Sequence, residues 1–220
     1  RVIPKNTDCS LPSPKEYARF LISRYLNANG LGQAAEIGYL LKNTKPLISE
    51  CLQEMNSNSE LIQINVGGNN YFALPSSLEL LEKTLPYGKL KILSPFDNLL
   101  IQRKRMLALF NFDYQIECYV PESKRKFGYF SLPILWDGRL IARMDCKADR
   151  KNSLLYIKYL AIESGLVKTD AFAHALSKEL KPFLQFNKCY SLRLHTSNPP
   201  GIKPTLEKAL NELMSIRKSR

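Results

Sequence analysis

Apolar residues recur at helical spacing in the first third of this chain and at every second position in its middle, so the pattern predicts helices first and strands after. In Lys15–Gly30, Tyr17, Phe20, Leu21, Tyr25 and Leu26 fall at helical intervals, and Asn29-Gly30 supplies a C-terminal stop. Gln33–Thr44 reads as a short helix with Ile37, Leu40 and Leu41 on one side. Lys45–Asn58 reads as a third, with Thr44 as its cap, Pro46 in its first turn, and Leu47, Ile48, Cys51, Leu52 and Met55 as its apolar face. Leu61–Val66 and Tyr71–Leu74 are two short strands around the turn Gly67-Gly68-Asn69-Asn70. Three helices and a hairpin are in the winged-helix order. In the common DNA-binding use, the third helix enters the major groove and the wing touches the backbone. Here the third helix carries Glu50 and Glu54 beside Lys45, and no Lys or Arg lies between Leu61 and Leu74. A scaffold or domain-packing role fits this module at least as well.

Further along, Ser76–Leu90 predicts a short helix and a turn at Pro86-Tyr87-Gly88, and Asn98–Phe110 a helix after the turn Ser94-Pro95-Phe96-Asp97. Four strands follow. In the first, Tyr114, Ile116, Cys118 and Val120 alternate with Gln115, Glu117 and Tyr119; residues 127–135 form the second. In the third, Leu140, Ala142, Met144 and Cys146 alternate with Arg139, Ile141, Arg143, Asp145 and Lys147; in the fourth, Leu155, Ile157 and Tyr159 face away from Tyr156 and Lys158. Turns at Asp137-Gly138 and Arg150–Asn152 link them into an antiparallel sheet or small barrel. Thr169–Phe186 is an amphipathic helix with Phe172, Leu176, Leu180 and Phe183 inward, and Pro182 is expected to kink or end it. Ser191–His195 is a further strand, Thr196–Pro204 a loop and Thr205–Met214 a terminal helix, followed by the basic tail Ile216–Arg220. The fold class is α+β: a linker at 1–14, a winged helix-turn-helix domain at 15–88, and a small antiparallel sheet or barrel with C-terminal helices at 89–220.

Charge changes this picture. The 220 residues hold 32 Lys+Arg against 20 Asp+Glu, a net charge of +12, and such an excess points to a polyanionic partner. Residues 89–151 hold 13 basic and 7 acidic residues, and the remaining 157 hold 19 and 13, so each part nets +6 and the excess is more than twice as dense in the middle. The five cysteines are far apart, with no CxxC, and only His174 and His195 could join them. That combination argues against a zinc site and for reduced thiols in a cytoplasmic protein. No signal peptide or transmembrane run is visible. The chain begins at Arg1 rather than Met, which leaves room for a segment upstream.

Three basic clusters carry the candidate chemistry. Arg103-Lys104-Arg105 follows Gln102 on a helix, where consecutive residues fan out, so two of the three can reach a pair of phosphates. Ion pairing to Asp97 or Asp113 is the alternative. Lys124-Arg125-Lys126 lies between two strands, and a projecting basic tip can track a backbone while Tyr119, Phe127 and Tyr129 stack on a base. Turn lysines also discourage strand aggregation. Lys147 and Arg150 face outward at a strand end, with Asp149 capping the turn. No nucleophile–base arrangement, P-loop or dinucleotide fingerprint occurs. Asp97 reads better as a turn-former than as an acid catalyst, and no cofactor or metal is implied.

Together these pieces form one ordered run: Ser94-Pro95-Phe96-Asp97, then Arg103-x-Arg105, then Leu109-Phe110-x-Phe112-x-Tyr114-x-Ile116-Glu117-x-Tyr119-Val120-Pro121, then Lys124-Arg125-x-Phe127-Gly128-Tyr129, then Asp145-x-Lys147-Ala148-Asp149-Arg150. The run resembles the C-terminal region of the AlkZ/YcaQ-type winged-helix DNA glycosylases, bacterial enzymes of alkylation and interstrand-crosslink repair. The resemblance implies tandem winged helices followed by a β-barrel, forming a concave DNA-binding surface. It implies that Arg103, Arg105, Lys124, Arg125, Lys147 and Arg150 hold DNA backbone, with Tyr119 and Tyr129 among the aromatics that shape the barrel or meet DNA. The family's catalytic Gln-x-Asp or Gln-x-Gln signature belongs to an N-terminal winged helix. Gln115-Ile116-Glu117 and Gln63-Ile64-Asn65 have a similar shape in the wrong places. The chain therefore reads as the C-terminal part of such a protein, or a short paralogue of it, that binds DNA without cleaving it.

Overall fold

The computed structural model of this chain describes residues 10–84 and 87–215. Most of the linker expected at 1–14, Cys9, Pro86 of the expected turn and the basic tail 216–220 lie outside the described residues. The chain divides into two units, Arg1–Thr84 and Leu85–Arg220.

In the first unit, α1 (Pro14–Asn29) opens on a capping box: Glu16 N–H donates to the Ser13 hydroxyl, and Ser13 N–H donates to the Glu16 carboxylate. Its buried stripe is Ala18, Ile22 and Leu26. Tyr17 and Phe20, expected inward, are exposed. The 18-22-26 series keeps a strict i, i+4 line along the helix, and these two aromatics stand off that line. A two-residue strand β1 (Leu31–Gly32), too short to show in the sequence pattern, leads to α2 (Ala34–Ile37). α2 stops at Gly38, and Leu40 and Leu41 are exposed beyond it, Leu40 at φ 65°. That corrects the longer helix expected to Thr44. α3 (Lys45–Ser57) buries Ile48, Cys51, Leu52 and Met55 as its spacing predicts, with Thr44 at the cap position. β2 (Ile62–Val66) and β3 (Asn69–Ala73) pair across Gly67-Gly68, both at positive φ, and β1 adds to the far side of β3. The expected order of three helices and a hairpin is present, with a third strand added, and a short helix α4 (Pro75–Leu78) follows.

The second unit is built on a five-stranded sheet in the order β4 (Leu90–Ile92), β5 (Ser131–Trp136), β6 (Arg139–Asp149), β7 (Leu154–Ile162), β8 (Ser191–Asn198). The first four pair antiparallel, whereas β7 and β8 pair parallel. The parallel pair corrects the purely antiparallel expectation: α6 (Thr169–Phe186) carries the chain back across the sheet, and such a crossover returns a strand in the same direction. α5 (Arg103–Phe110) precedes β5, and α7 (Ile202–Ser215) closes the described chain.

One face of the sheet, with Ile134, Ala142, Met144, Leu155, Ile157 and Leu194, packs in one core with Phe172, Leu176 and Leu180 of α6 and Leu206 of α7. Pro182 neither ends nor closes α6, which runs on to Phe186. A second, smaller core joins Leu100, Met106, Phe112, Tyr114 and Leu140. Leu140 enters it because an irregularity at Ile134/Leu135 resets the alternation of β6, so that Leu140 and Ala142 no longer share one core.

Candidate nucleic-acid interface

The segment between α5 and β5 differs most from its expected form. Residues 111–120 form no strand and the second strand starts at Ser131, not 127; the helix expected from Asn98 starts at Arg103. Asp97 makes the turn before it, its side chain accepting from Leu99 N–H at 2.9 Å and its carbonyl from Leu100 and Ile101. An irregular segment leaves its amides without a ladder, and buried amides must find partners elsewhere. Here buried acids supply them. Glu117 accepts from Lys126 N–H at 3.0 Å and Phe127 N–H at 2.7 Å. Asp145, buried on β6, accepts from Tyr129 N–H and Phe130 N–H at 3.2 Å each. Gly128, between the two pairs, sits at φ +106°, and a Cβ there would stand 2.2 Å from the Asp145 carboxylate. No other residue fits that close approach.

Arg143 completes the support. Its guanidinium lies 4.3 Å from the Phe112 ring centre and 3.9 Å from that of Phe127, donates to Asp113 O at 3.0 Å, and pairs with Glu163 at 2.8 Å. Only 4% of the residue is exposed, so it ties two parts of the segment to the sheet through planar stacking and fixed donors. Tyr114 donates to Ser131 O at 2.6 Å, and burial pushes its phenol up to about 12.

This frame separates the sequence-predicted site residues into two groups. Arg103 donates to Pro95 O at 2.9 Å and to Leu100 O, and stacks on Tyr114 at 4.5 Å; Arg105 is buried. Both are directed into the protein, where sequence reasoning had turned them toward a partner. Lys124, Tyr119 and Tyr129 are exposed on the segment, and Tyr119 is almost fully so at 95%. Arg125 is half-buried: its Nε donates to Val120 O at 2.8 Å and its guanidinium lies 5.1 Å from the Tyr129 ring centre. Lys147 is exposed on β6 two residues beyond Asp145, and Arg150 is exposed in the β6–β7 turn. That turn is capped as expected. Asp149 accepts from Lys151 and Asn152 amides and from the Asn152 side chain, whose hydrogen bond holds its carboxyl below the usual range. Tyr129 thus meets Asp145 and Arg125 lies over its ring, with Lys124 next to Arg125 in the chain and Lys147 two residues along β6 from Asp145. A projecting loop of cations and aromatic rings on a rigid base suits phosphate contact and base stacking.

In the first unit, Glu50 and Glu54 of α3 both pair with Lys15 of α1, at 3.0 and 3.4 Å. Both acids of the third helix are therefore paired with a cation of α1, and Lys45 at its start is exposed. Gln63-Ile64-Asn65 lies in β2, where Asn65 donates to Asn70 at 2.9 Å and accepts from Gly68 N–H.

Among the described residues, no cluster of His, Cys, Asp and Glu suits a metal, and no helix is long and apolar enough to cross a membrane. Of the four described cysteines, Cys51 and Cys189 are buried and Cys118 and Cys146 partly so.

The DNA glycosylase AlkZ from Streptomyces sahachiroi has a similar fold, with a TM-score of 0.52 at 19% identity over 84% of this chain. The chain spans about half of that protein, 47% of its length. The AlkZ-like DNA glycosylase family model matches residues 1–186, and the chain belongs to that family.

Proposed function

We propose that this chain is the DNA-binding part of a winged-helix DNA glycosylase of alkylation or crosslink repair. Residues 15–88 make its winged-helix domain and 89–220 its basic domain, and it works on duplex DNA, damaged or intact, in the bacterial cytoplasm. The observation that carries the reading is the double carboxylate clamp. Glu117 and Asp145 satisfy four amides of residues 126–130 and so fix Lys124, Arg125 and Tyr129 in an outward-facing loop. A rigid base under a projecting motif is what positioned phosphate contacts require. The catalytic step would need a carboxylate or amide to place water at the glycosidic carbon. Of the two look-alike triplets, Gln115-Ile116-Glu117 has its acid occupied by backbone amides and Gln63-Ile64-Asn65 is held within a hairpin. This favours a second reading, a non-catalytic DNA-binding or regulatory protein that keeps the same scaffold.

The test is binding of the purified chain to a fluorescent duplex, with and without an alkylated base, at two salt concentrations. Binding should weaken steeply with salt, because each phosphate contact releases counterions. Lys124→Ala and Arg125→Ala should each weaken binding and lower the salt slope by about one. Failure to bind at low salt would overturn the proposal. Release of the alkylated base would decide for the enzyme against the non-catalytic reading.

A further inference from the structure

We infer that the open end of the β6–β7–β8 face is a second DNA contact, which takes an unpaired nucleotide with its base on the Tyr156 ring and its phosphates on Lys147 and Arg193. The inference rests on the DNA-binding reading above and adds a site and a form of substrate to it.

Register places the three side chains in one row: Lys147 opposes Tyr156 on β7, and Tyr156 opposes Arg193 on β8. Opposed residues share a face, and strands lie about 4.8 Å apart, so the row spans roughly 10 Å. Their neighbours Leu155, Ile157 and Leu194 point into the core shared with α6 and α7, which puts the row on the opposite face. Past Asp145, β6 runs on to Asp149 with no β5 residue beside it, since β5 begins at Ser131. Lys147 and Arg193 are exposed and Tyr156 partly so.

Electrostatics favours a polyanion. Asp145 and Asp149 flank Lys147 two positions away on each side, and both carboxylates are turned onto backbone amides of neighbouring loops. Both acids are thereby held by backbone donors, while Lys147 and Arg193 stay exposed. The Arg193 guanidinium lies 6.0 Å from the Tyr156 ring centre, the outer limit of a cation–π contact, so little is lost when a base takes the ring. A ring on a flat sheet between cations is the arrangement that stacks bases of single strands. In a duplex the base faces are hidden in the stack, so this ring can meet a base only where pairing has opened.

The full chain would be titrated against a blunt duplex and the same duplex with a short single-stranded overhang, by fluorescence anisotropy. The wild type should prefer the overhang, and Tyr156→Ala and Arg193→Gln should each remove that preference, a loss of about tenfold, while binding to the blunt duplex stays unchanged. Tyr156→Phe keeps the ring and should keep the preference, and thermal unfolding of each variant reports on folding. Wild type that binds both DNAs equally, or a preference that survives Tyr156→Ala, overturns this inference and leaves the DNA-binding reading standing. Wild type that binds neither overturns both.

Discussion

Two projecting segments of this molecule solve the same backbone problem differently. The β2–β3 hairpin turns through Gly67-Gly68 and satisfies its amides in a regular antiparallel ladder, helped by Asn65. The 117–130 segment has no ladder, and Glu117 and Asp145 satisfy four of its amides with their side chains. The hairpin carries no cation from Leu61 to Leu74, whereas the irregular segment carries Lys124, Arg125 and Lys126. A ladder fixes shape by pairing alone and is indifferent to charge. An acid-clamped loop needs specific carboxylates at specific depths, and here Glu117 and Asp145 are buried while Lys124 and Lys126 stay exposed.

The comparison can be broken most severely at Arg143. Arg143→Ala removes the guanidinium between Phe112 and Phe127 and leaves Glu163 and Asp113 O without it. Unfolding by denaturant should show a loss of about 3–5 kcal/mol, the usual cost of breaking a buried pair. Glu117→Ala orphans two amides and should cost about 2–4 kcal/mol on the same measurement, with weaker duplex binding as Lys124 and Arg125 lose their fixed base. Gly128→Ala forces a Cβ against Asp145 at φ +106° and should cost roughly 1–3 kcal/mol, whereas Gly67→Ala, with nothing near it, should leave DNA binding intact. If the hairpin variant lowered binding as much as Glu117→Ala, the contrast between the two segments would fail.

A pH titration sharpens the same contrast more gently. Tyr114 has an ordinary phenol value near 10, and burial raises it to about 12. Its raised value stabilises the fold fully below pH 10, and that contribution is lost as pH rises from 10 toward 12, because the unfolded chain ionises first. Thermal melts of wild type against Tyr114→Phe should converge across that window. The smallest effect is expected at Lys15→Ala, which breaks exposed ion pairs to Glu50 and Glu54 and should leave the melting temperature nearly unchanged, as exposed pairs contribute little.

Much of this was legible in the sequence because it is local. The apolar faces of α3 and α6, the Asp137-Gly138 and Asp149-capped turns and the strands β6 and β7 follow from periodicity and turn chemistry acting within a few residues. The motif run was also visible, together with its family likeness. What periodicity misjudged was 114–120, where Tyr114, Ile116 and Cys118 alternate like a strand, yet no neighbouring strand pairs with them and Glu117 is drawn inward by amides nine and ten residues away. The sequence could not sort the cations either. Arg103, Arg105 and Arg143 look as available as Lys124 and Lys147, yet Arg105 is buried, and Arg103 and Arg143 stack on Tyr114, Phe112 and Phe127. Tyr156 and Arg193 escaped notice because 37 residues separate them in the chain and a parallel crossover sets them side by side. By itself, then, the chain determined most of its element types, its family and its charge excess, all properties of neighbouring residues. Only the tertiary structure decided which charges face solvent, because burial and strand register depend on partners distant in sequence.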